Sequence, residues 1–161
     1  MNTATPSLYT NEVSPERLRA LDNSIFTEQQ LATFSEQVLA IVNKNRAYAK
    51  AHPPIAIYRV ATEGSQTRNG GVIQQGSAPM QIKQDNGQLV RAARKGDWVV
   101  YPDGTKAQIM TCGGKGNSHI ALVGSVLSNG DQIINTPQAG FLLFARKGVP
   151  MAEDFLPTIQ R

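Results

Sequence analysis

The sequence predicts a mainly β fold, a small domain of short strands and tight hairpins preceded by an N-terminal α-helical extension. Apolar residues before position 54 recur at helical spacing, whereas those after it form short runs separated by turn residues. This change of pattern predicts a helical extension over residues 1–54 and a β domain over 55–147. The remaining residues, 148–161, are predicted to be a C-terminal tail.

Cap signals define where the helices of the extension begin. Ser14 followed by Pro15 predicts a first helix that runs to about Asp22, because proline is tolerated at the first helical position. Thr27, with Gln30 three residues later, resembles a capping box and predicts the start of a second, longer helix.

An apolar stripe runs along this second helix, which should stop at His52-Pro53-Pro54 because a residue before proline avoids helical angles. The stripe either packs against the rest of the chain or docks a partner. Its members are Leu31, Phe34, Val38, Ile41, Val42 and Tyr48.

Short apolar runs alternate with turn signals through the β domain. The predicted strands are Ile55–Val60, Val72–Ile73, Met80–Ile82, Trp98–Tyr101, Ala107–Met110, Ile120–Val123, Gln132–Ile134 and Phe141–Phe144. The predicted hairpin turns are Asn69-Gly70, Asn86-Gly87, Asp103-Gly104 and Asn129-Gly130, since these pairs favour positive φ angles. We expect Trp98, the single tryptophan, to anchor the β core.

Composition and charge exclude several classes of protein. With 40% hydrophobic and 17% charged residues, the chain has a globular composition, and its one cysteine cannot form an intrachain disulfide. No apolar run approaches the ~18 residues of a membrane-spanning helix, and we expect no signal peptide and no membrane-spanning segment. Residues 1–55 carry five basic and five acidic side chains, and residues 56–161 carry eleven and seven.

The basic excess of the β domain is scattered among turns, without interleaved aromatic residues. We therefore expect no nucleic-acid partner. A small basic β-barrel that binds nucleic acid or another ligand is the alternative that this charge supports.

A four-residue pattern, Ala-x-x-Gly, recurs along the β domain. Its copies begin 32, 28 and 24 residues apart, at Ala61, Ala93, Ala121 and Ala145. The first three copies are each followed by Ser or Asp. The pattern indicates either a repeat used several times around an axis or chance recurrence in a chain rich in Gly and Ala.

The segment Arg91-Ala92-Ala93-Arg94 resembles the Pro-Ala-Ala-Arg stretch of the PAAR-repeat proteins, with Arg91 in place of proline. Further fragments follow in the order of that family, so that the resemblance covers roughly residues 58 to 136. The fragments are Ala61–Thr67, Gly70–Ile73, Gly76-Ser77, Val100–Gly104, Ala121–Ser125 and Leu127–Ile133.

The resemblance implies a small conical β domain that caps and sharpens the trimeric valine–glycine-repeat spike of a type VI secretion system, one copy per trimer. It implies a structural protein rather than an enzyme, made in the bacterial cytoplasm and secreted or injected with the spike. The N-terminal helices would hold an effector or a chaperone, shield the domain or contact the spike shaft. Whether the host machine is a secretion system or a phage-like particle stays open.

The family often carries a zinc ion held by His and Cys, and this sequence departs from that pattern. Asn69 and Tyr101 stand where the family has His and Cys. Cys112 and His119 remain, as a zinc pair completed by other ligands, as nucleophile and base of a small cysteine-dependent effector enzyme, or as a buried thiol and a polar loop residue. We expect no catalytic residue and no bound cofactor, and a loop at the Gly-rich segment 112–117.

Overall fold

Three helices precede seven short strands in the computed structural model, which describes residues 8–22 and 26–157. The helices are α1 (Pro15–Ala20), α2 (Glu28–Ala32) and α3 (Glu36–Ala51). The strands are β1 (Pro54–Arg59), β2 (Val72–Ile73), β3 (Gln81–Lys83), β4 (Leu89–Arg91), β5 (Trp98–Val100), β6 (Lys106–Gln108) and β7 (Leu142–Arg146). Helices followed by small antiparallel sheets confirm the coarse prediction of a mainly β chain with a helical N-terminal part.

The chain divides into two compact units. The β unit contains Tyr58–Leu143, the residues up to Glu12 and those from Met151 onwards, whereas the helical unit contains Val13–Ile57 and Phe144–Pro150. Strands β1 and β7 pair with each other and each has residues in both units. In the described residues, no helix is long and apolar enough to cross a membrane.

The predicted caps of the helical unit form as expected. Ser14 Oγ accepts a hydrogen bond from the amide of Arg17, and Thr27 and Gln30 make both bonds of the capping box. The prediction of one long second helix is wrong, because it breaks after Ala32. Ser35 Oγ accepts the amide of Val38 at 3.3 Å and caps a new helix, as serine often does where its side chain competes for the backbone.

Arg146 connects separate segments of the helical unit. Its guanidinium donates two hydrogen bonds to Asp22, at 2.6 and 2.8 Å, and a third to the carbonyl of His52 at 2.9 Å. The described residues of the three helices include none that is buried. On the apolar stripe, Ile41 is 61% exposed and Val38 and Tyr48 are also exposed.

Besides the β3–β4 hairpin, the β unit contains three hairpins that pair with one another, and we name them hairpin A (65–73), hairpin B (97–109) and hairpin C (125–133). Each turn is closed by a hydrogen bond from a glycine amide to the carbonyl three residues earlier, as in the bond from Gly70 to Thr67 at 3.1 Å. Only the glycine of each predicted turn has positive φ, +91° at Gly70. The turns are therefore type I turns followed by a left-handed glycine, not turns in which Asn also takes positive φ.

The three hairpins pair edge to edge in a closed circuit. Hairpin A pairs with hairpin B through Ile73 and Val99. Hairpin B pairs with hairpin C through Ile109 and Leu127, and hairpin C returns to hairpin A through Ile133 and Thr67. Because every hairpin gives both edges to a neighbour, this part of the unit has no open strand edge of the kind that recruits another strand.

Two apolar clusters fill the β unit. The first lies among the hairpins and contains Ala61, Ile73, Ala93, Val99, Ala107, Ile109, Ala121, Leu127 and Ile133. The second contains Val60, Ala78, Ile82, Ala92, Ile120 and Leu122. Trp98 belongs to neither cluster and is 50% exposed, so the prediction that it anchors the core is wrong. In strand β5 its neighbour Val99 faces inward, and the alternation of a strand turns Trp98 outward.

Two further strand predictions need correction. Residues 120–123 and 132–134 contribute isolated bridges rather than regular strands, because each makes only one or two pairings before the chain turns. Strand β4 was not expected, and it pairs with β3 across the predicted turn at Asn86-Gly87.

Candidate functional site: a ring of three repeats

A closed cycle of three backbone hydrogen bonds lies at the centre of the β unit. The amide of Ala61 donates to the carbonyl of Ala121 at 2.9 Å, Ala121 donates to Ala93 at 2.8 Å, and Ala93 donates to Ala61 at 3.0 Å. All three side chains are fully buried. We call this cycle the alanine ring, and it requires side chains small enough for three backbones to meet.

Each segment of the alanine ring continues in the same way. Gly64, Gly96 and Gly124 have φ of +92°, +93° and +108°, and each donates its amide at 2.8 Å to the isoleucine that ends its hairpin. The next residue caps the turn, since Ser65 Oγ, Asp97 Oδ2 and Ser125 Oγ each accept the amide three residues before it. The first three copies of Ala-x-x-Gly therefore form an approximate threefold repeat.

The fourth copy of the pattern does not join this repeat. Ala145 lies in strand β7 of the helical unit, and the turn that follows it brings Gly148 next to His52. Ala145, 24 residues after Ala121, is therefore not a member of the alanine ring. The expectation of a repeat is met by three copies and fails for the fourth.

The hairpin turns carry a hydrogen-bonded cluster around Asp131, whose side chain is 3% exposed. Tyr101 Oη of hairpin B donates to Asp131 Oδ2 at 2.5 Å, and the backbone amide of Asn69 of hairpin A donates to Oδ1 at 3.2 Å. Asn129 Nδ2 donates to Tyr101 Oη at 3.0 Å. Asp131 itself belongs to hairpin C, so one carboxylate connects all three hairpins.

This environment shifts the pKa of both partners. Burial and the hydrogen bond to Asp131 raise the pKa of Tyr101. Burial opposes ionisation of Asp131, but hydrogen bonds from Thr67, Tyr101 and the backbone amides of Gln132 and Asn69 outweigh it, and the pKa of Asp131 is lowered. Asp131 is therefore a carboxylate held by neutral donors.

Asn69 and Tyr101, the positions that the resemblance matches with zinc ligands, both contribute to this cluster, Asn69 through its backbone amide and Tyr101 through its hydroxyl. Their groups do not fit a zinc ion, which in structural sites takes four ligands, mostly Cys and His. The Tyr101 hydroxyl donates its hydrogen bond to Asp131, and the Asp131 carboxylate also accepts hydrogen bonds from backbone amides. Hydrogen bonds thus connect the hairpins where the resemblance implies a metal.

Cys112 and His119 lie together, away from the hairpin turns. Cys112 Sγ is 3.9 Å from His119 Nδ1 and accepts the amide of Gly114 at 3.4 Å. The thiol is buried, whereas His119 is exposed and has φ of +55°. Across the described ranges, no three His, Cys, Asp or Glu side chains converge as metal ligands. The predicted loop at 112–117 contains a short 3-10 turn over Lys115–Asn117.

Several residues of the site had no clear signal in the sequence. Ser or Asp follows each of the first three Ala-x-x-Gly copies, but that pattern does not by itself predict that Ser65, Asp97 and Ser125 accept the amide three residues earlier. The contact between Tyr101 and Asp131 spans 30 residues and depends on how the hairpins close, which no local pattern gives.

Comparison with protein-family models, with curated proteins and with solved structures gives no match to this chain.

Proposed function

We propose that this chain is a PAAR-like structural tip protein that caps the trimeric valine–glycine-repeat spike of a contractile secretion machine. The observation that carries the proposal is the alanine ring, in which one chain builds an approximate threefold axis from Ala61, Ala93 and Ala121. A single chain with three similar segments can offer one surface to each chain of a threefold trimer. The ordered sequence fragments of residues 58–136 support the same conclusion.

The closed circuit of hairpins suits a part that must stay rigid under load. Every hairpin edge is paired, the core around the alanine ring is filled, and the cluster at Asp131 connects the turns of all three hairpins. We also propose that the β unit is conical and that the turns of the three hairpins form its point. We place the surface that meets the spike at the other end, next to the second apolar cluster.

We further propose that the chain is not an enzyme and needs no metal. Cys112 is buried, and its sulfur lies 3.9 Å from His119 Nδ1, which is long for proton transfer. The exposed stripe on α3, with Val38, Ile41 and Tyr48, supports a role for the helical unit in holding an effector or a chaperone. Such a protein would leave the cytoplasm together with the spike.

The test is co-purification of the full chain with the trimeric spike protein of the same organism. We expect a complex that persists at high salt, with Cys112→Ala as a matched control that binds equally well. The alternative of a basic β-barrel that binds nucleic acid predicts no complex with the spike and an affinity for oligonucleotides that falls steeply with salt. That result would overturn the proposal.

A further inference from the structure

A pocket of about 440 Å³ opens beside the second apolar cluster of the β unit. Its apolar lining is made of Val60, Ala78, Pro79, Met80, Ile120, Phe141 and Leu143. Its polar lining is Arg94, Asn117 and Ser118. A volume within the roughly 300–1,000 Å³ of ligand sites, with apolar walls and a few polar groups at one place, is the usual composition of a binding pocket.

Arg94 supplies the single charge in this lining. Its Nε donates to Ser77 Oγ at 3.1 Å, and its backbone amide is bound by Asp97. Within the part of the chain that the structure describes, no carboxylate lies within salt-bridge distance of the Arg94 guanidinium, and the ion pair found there joins Arg146 to Asp22. The guanidinium therefore keeps donors for a carboxylate brought by a ligand.

The backbone beside Arg94 is held in an uncommon conformation. Ser118 and His119 are consecutive non-glycine residues with φ of +54° and +55°, in the left-handed region that such residues seldom occupy. Bonds from the amides of Ser118 to Lys115 and of His119 to Gly114 hold this turn. Backbone strain of this kind clusters at ligand-binding positions, and here it places Ser118 at the pocket.

We propose that this pocket binds an apolar side chain next to a carboxylate, presented by a C-terminal apolar residue of the spike trimer. The apolar part would contact Met80 and Phe141, and Phe141 is now 42% exposed. The carboxylate would bind Arg94, whose positive charge complements it. The choice of the spike as the source rests on the proposed function, whereas the chemical class of the ligand rests on the pocket alone.

Asymmetry follows from the position of the pocket. It takes Val60 from the first segment of the alanine ring, Arg94 from the second and Ile120 from the third, with Phe141 and Leu143 added from outside the repeat. Phe141 and Leu143 lie outside the repeat, so the other two segments of the repeat have no equivalent residues. One of the three spike chains would therefore bind differently from the other two.

The first arm of the test uses acetyl-Leu-Leu with a free carboxylate and the same dipeptide as an amide, added to the full chain. Methyl NMR follows Met80 in the pocket, with Met110 and Met151 outside it as internal controls. We expect the acid to shift Met80 alone with a Kd on the order of 1 mM, and the amide to bind about tenfold more weakly. No shift at Met80, or equal binding of acid and amide, would overturn the inference.

The second arm measures binding of the spike trimer to Arg94→Gln, Arg94→Lys and Phe141→Ala. We expect Gln and Ala to weaken both peptide and trimer about tenfold, Lys to retain most binding, and Leu89→Ala, an exposed strand change outside the lining, to have no effect. Variants that bind the trimer as well as the parent chain would overturn this inference and leave the proposed function standing. A peptide that binds while the trimer does not would overturn the proposed function and retain the ligand class.

Discussion

Tyr101 Oη donates a 2.5 Å hydrogen bond to Asp131 Oδ2, and through it hairpin B is joined to hairpin C. The carboxylate also accepts the amide of Asn69 from hairpin A. In the proposed function, a tip that pierces an envelope must keep its turns together under force. This contact links the hairpins by hydrogen bonds, and its strength should depend on the charge of Asp131.

Replacing Asp131 with Asn should lower the free energy of unfolding by about 1–3 kcal/mol at neutral pH, because buried donors lose their charged acceptor. The pKa of Asp131 is lowered in the folded state from an ordinary value of 3.8. Its contribution is therefore complete above that value and is lost as the pH falls through the lower, folded pKa. Urea unfolding of both proteins at several pH values measures the difference, which should shrink in acid. A difference of the same size at neutral pH and in strong acid would contradict the account.

Tyr101 should titrate above the ordinary pKa of a tyrosine. Burial and its bond to Asp131 raise its pKa from 10.0, so its hydroxyl stays a donor at neutral pH and the bond is lost as the pH rises through the raised pKa. In a pH titration followed by the ultraviolet absorbance of tyrosinate, the chain's four tyrosines should give a component at high pH that is lost in Tyr101→Phe. Titration curves of parent and variant that differ only in amplitude, with no component lost at high pH, would refute this.

Gly96 should be difficult to replace although the space around it is empty. An added Cβ would meet no atom within 4 Å, but the φ of +93° should cost an alanine about 1–2 kcal/mol. Gly140 also has open space but no positive φ, so Gly140→Ala is the matched control and should change stability by less than about 0.5 kcal/mol. Thermal unfolding compares the two, and equal effects would show that the backbone conformation of the repeat does not matter.

Asp22→Asn should lower the stability of the helical unit. The change removes a bidentate ion pair whose two side chains are each 20% exposed, and we expect a loss of about 1 kcal/mol. A double-mutant cycle with Arg146→Met, followed by helical circular dichroism, separates the pair from other effects of each change. Additive losses would show that the two side chains act independently.

Cys112 should resist thiol reagents in the native protein. Its side chain is 4% exposed, so reaction with a disulfide reagent should be many times slower than in denaturant. A small thiol in this place behaves as an apolar side chain, and Cys112→Ala should leave the fold intact. Rapid native labelling would instead favour the enzymatic interpretation of Cys112 and His119.

Local patterns in the sequence were enough to predict the caps at Ser14 and Thr27, the hairpin glycines and three of the four Ala-x-x-Gly copies. They failed where the outcome depends on distant contacts. Trp98 looked like a core residue because it is large, but the closed circuit places Val99 inward instead. Ala145 fits the repeat by composition, yet its strand pairs with β1.

The contacts that define the site lie between segments far apart in the chain. The alanine ring joins residues 28 to 60 positions apart, and Asp131 meets Tyr101 only because the hairpins close. The pocket beside Arg94 likewise combines five separate segments. The sequence alone gives the residue types at these positions but does not predict that they are in contact.

In the proposed function, one copy of this chain caps one spike trimer. Light scattering on the purified complex with the spike protein of the same organism measures that stoichiometry directly. We expect a mass equal to three spike chains plus one copy of this 17.4 kDa protein. No association, or a complex with three copies per trimer, would contradict it.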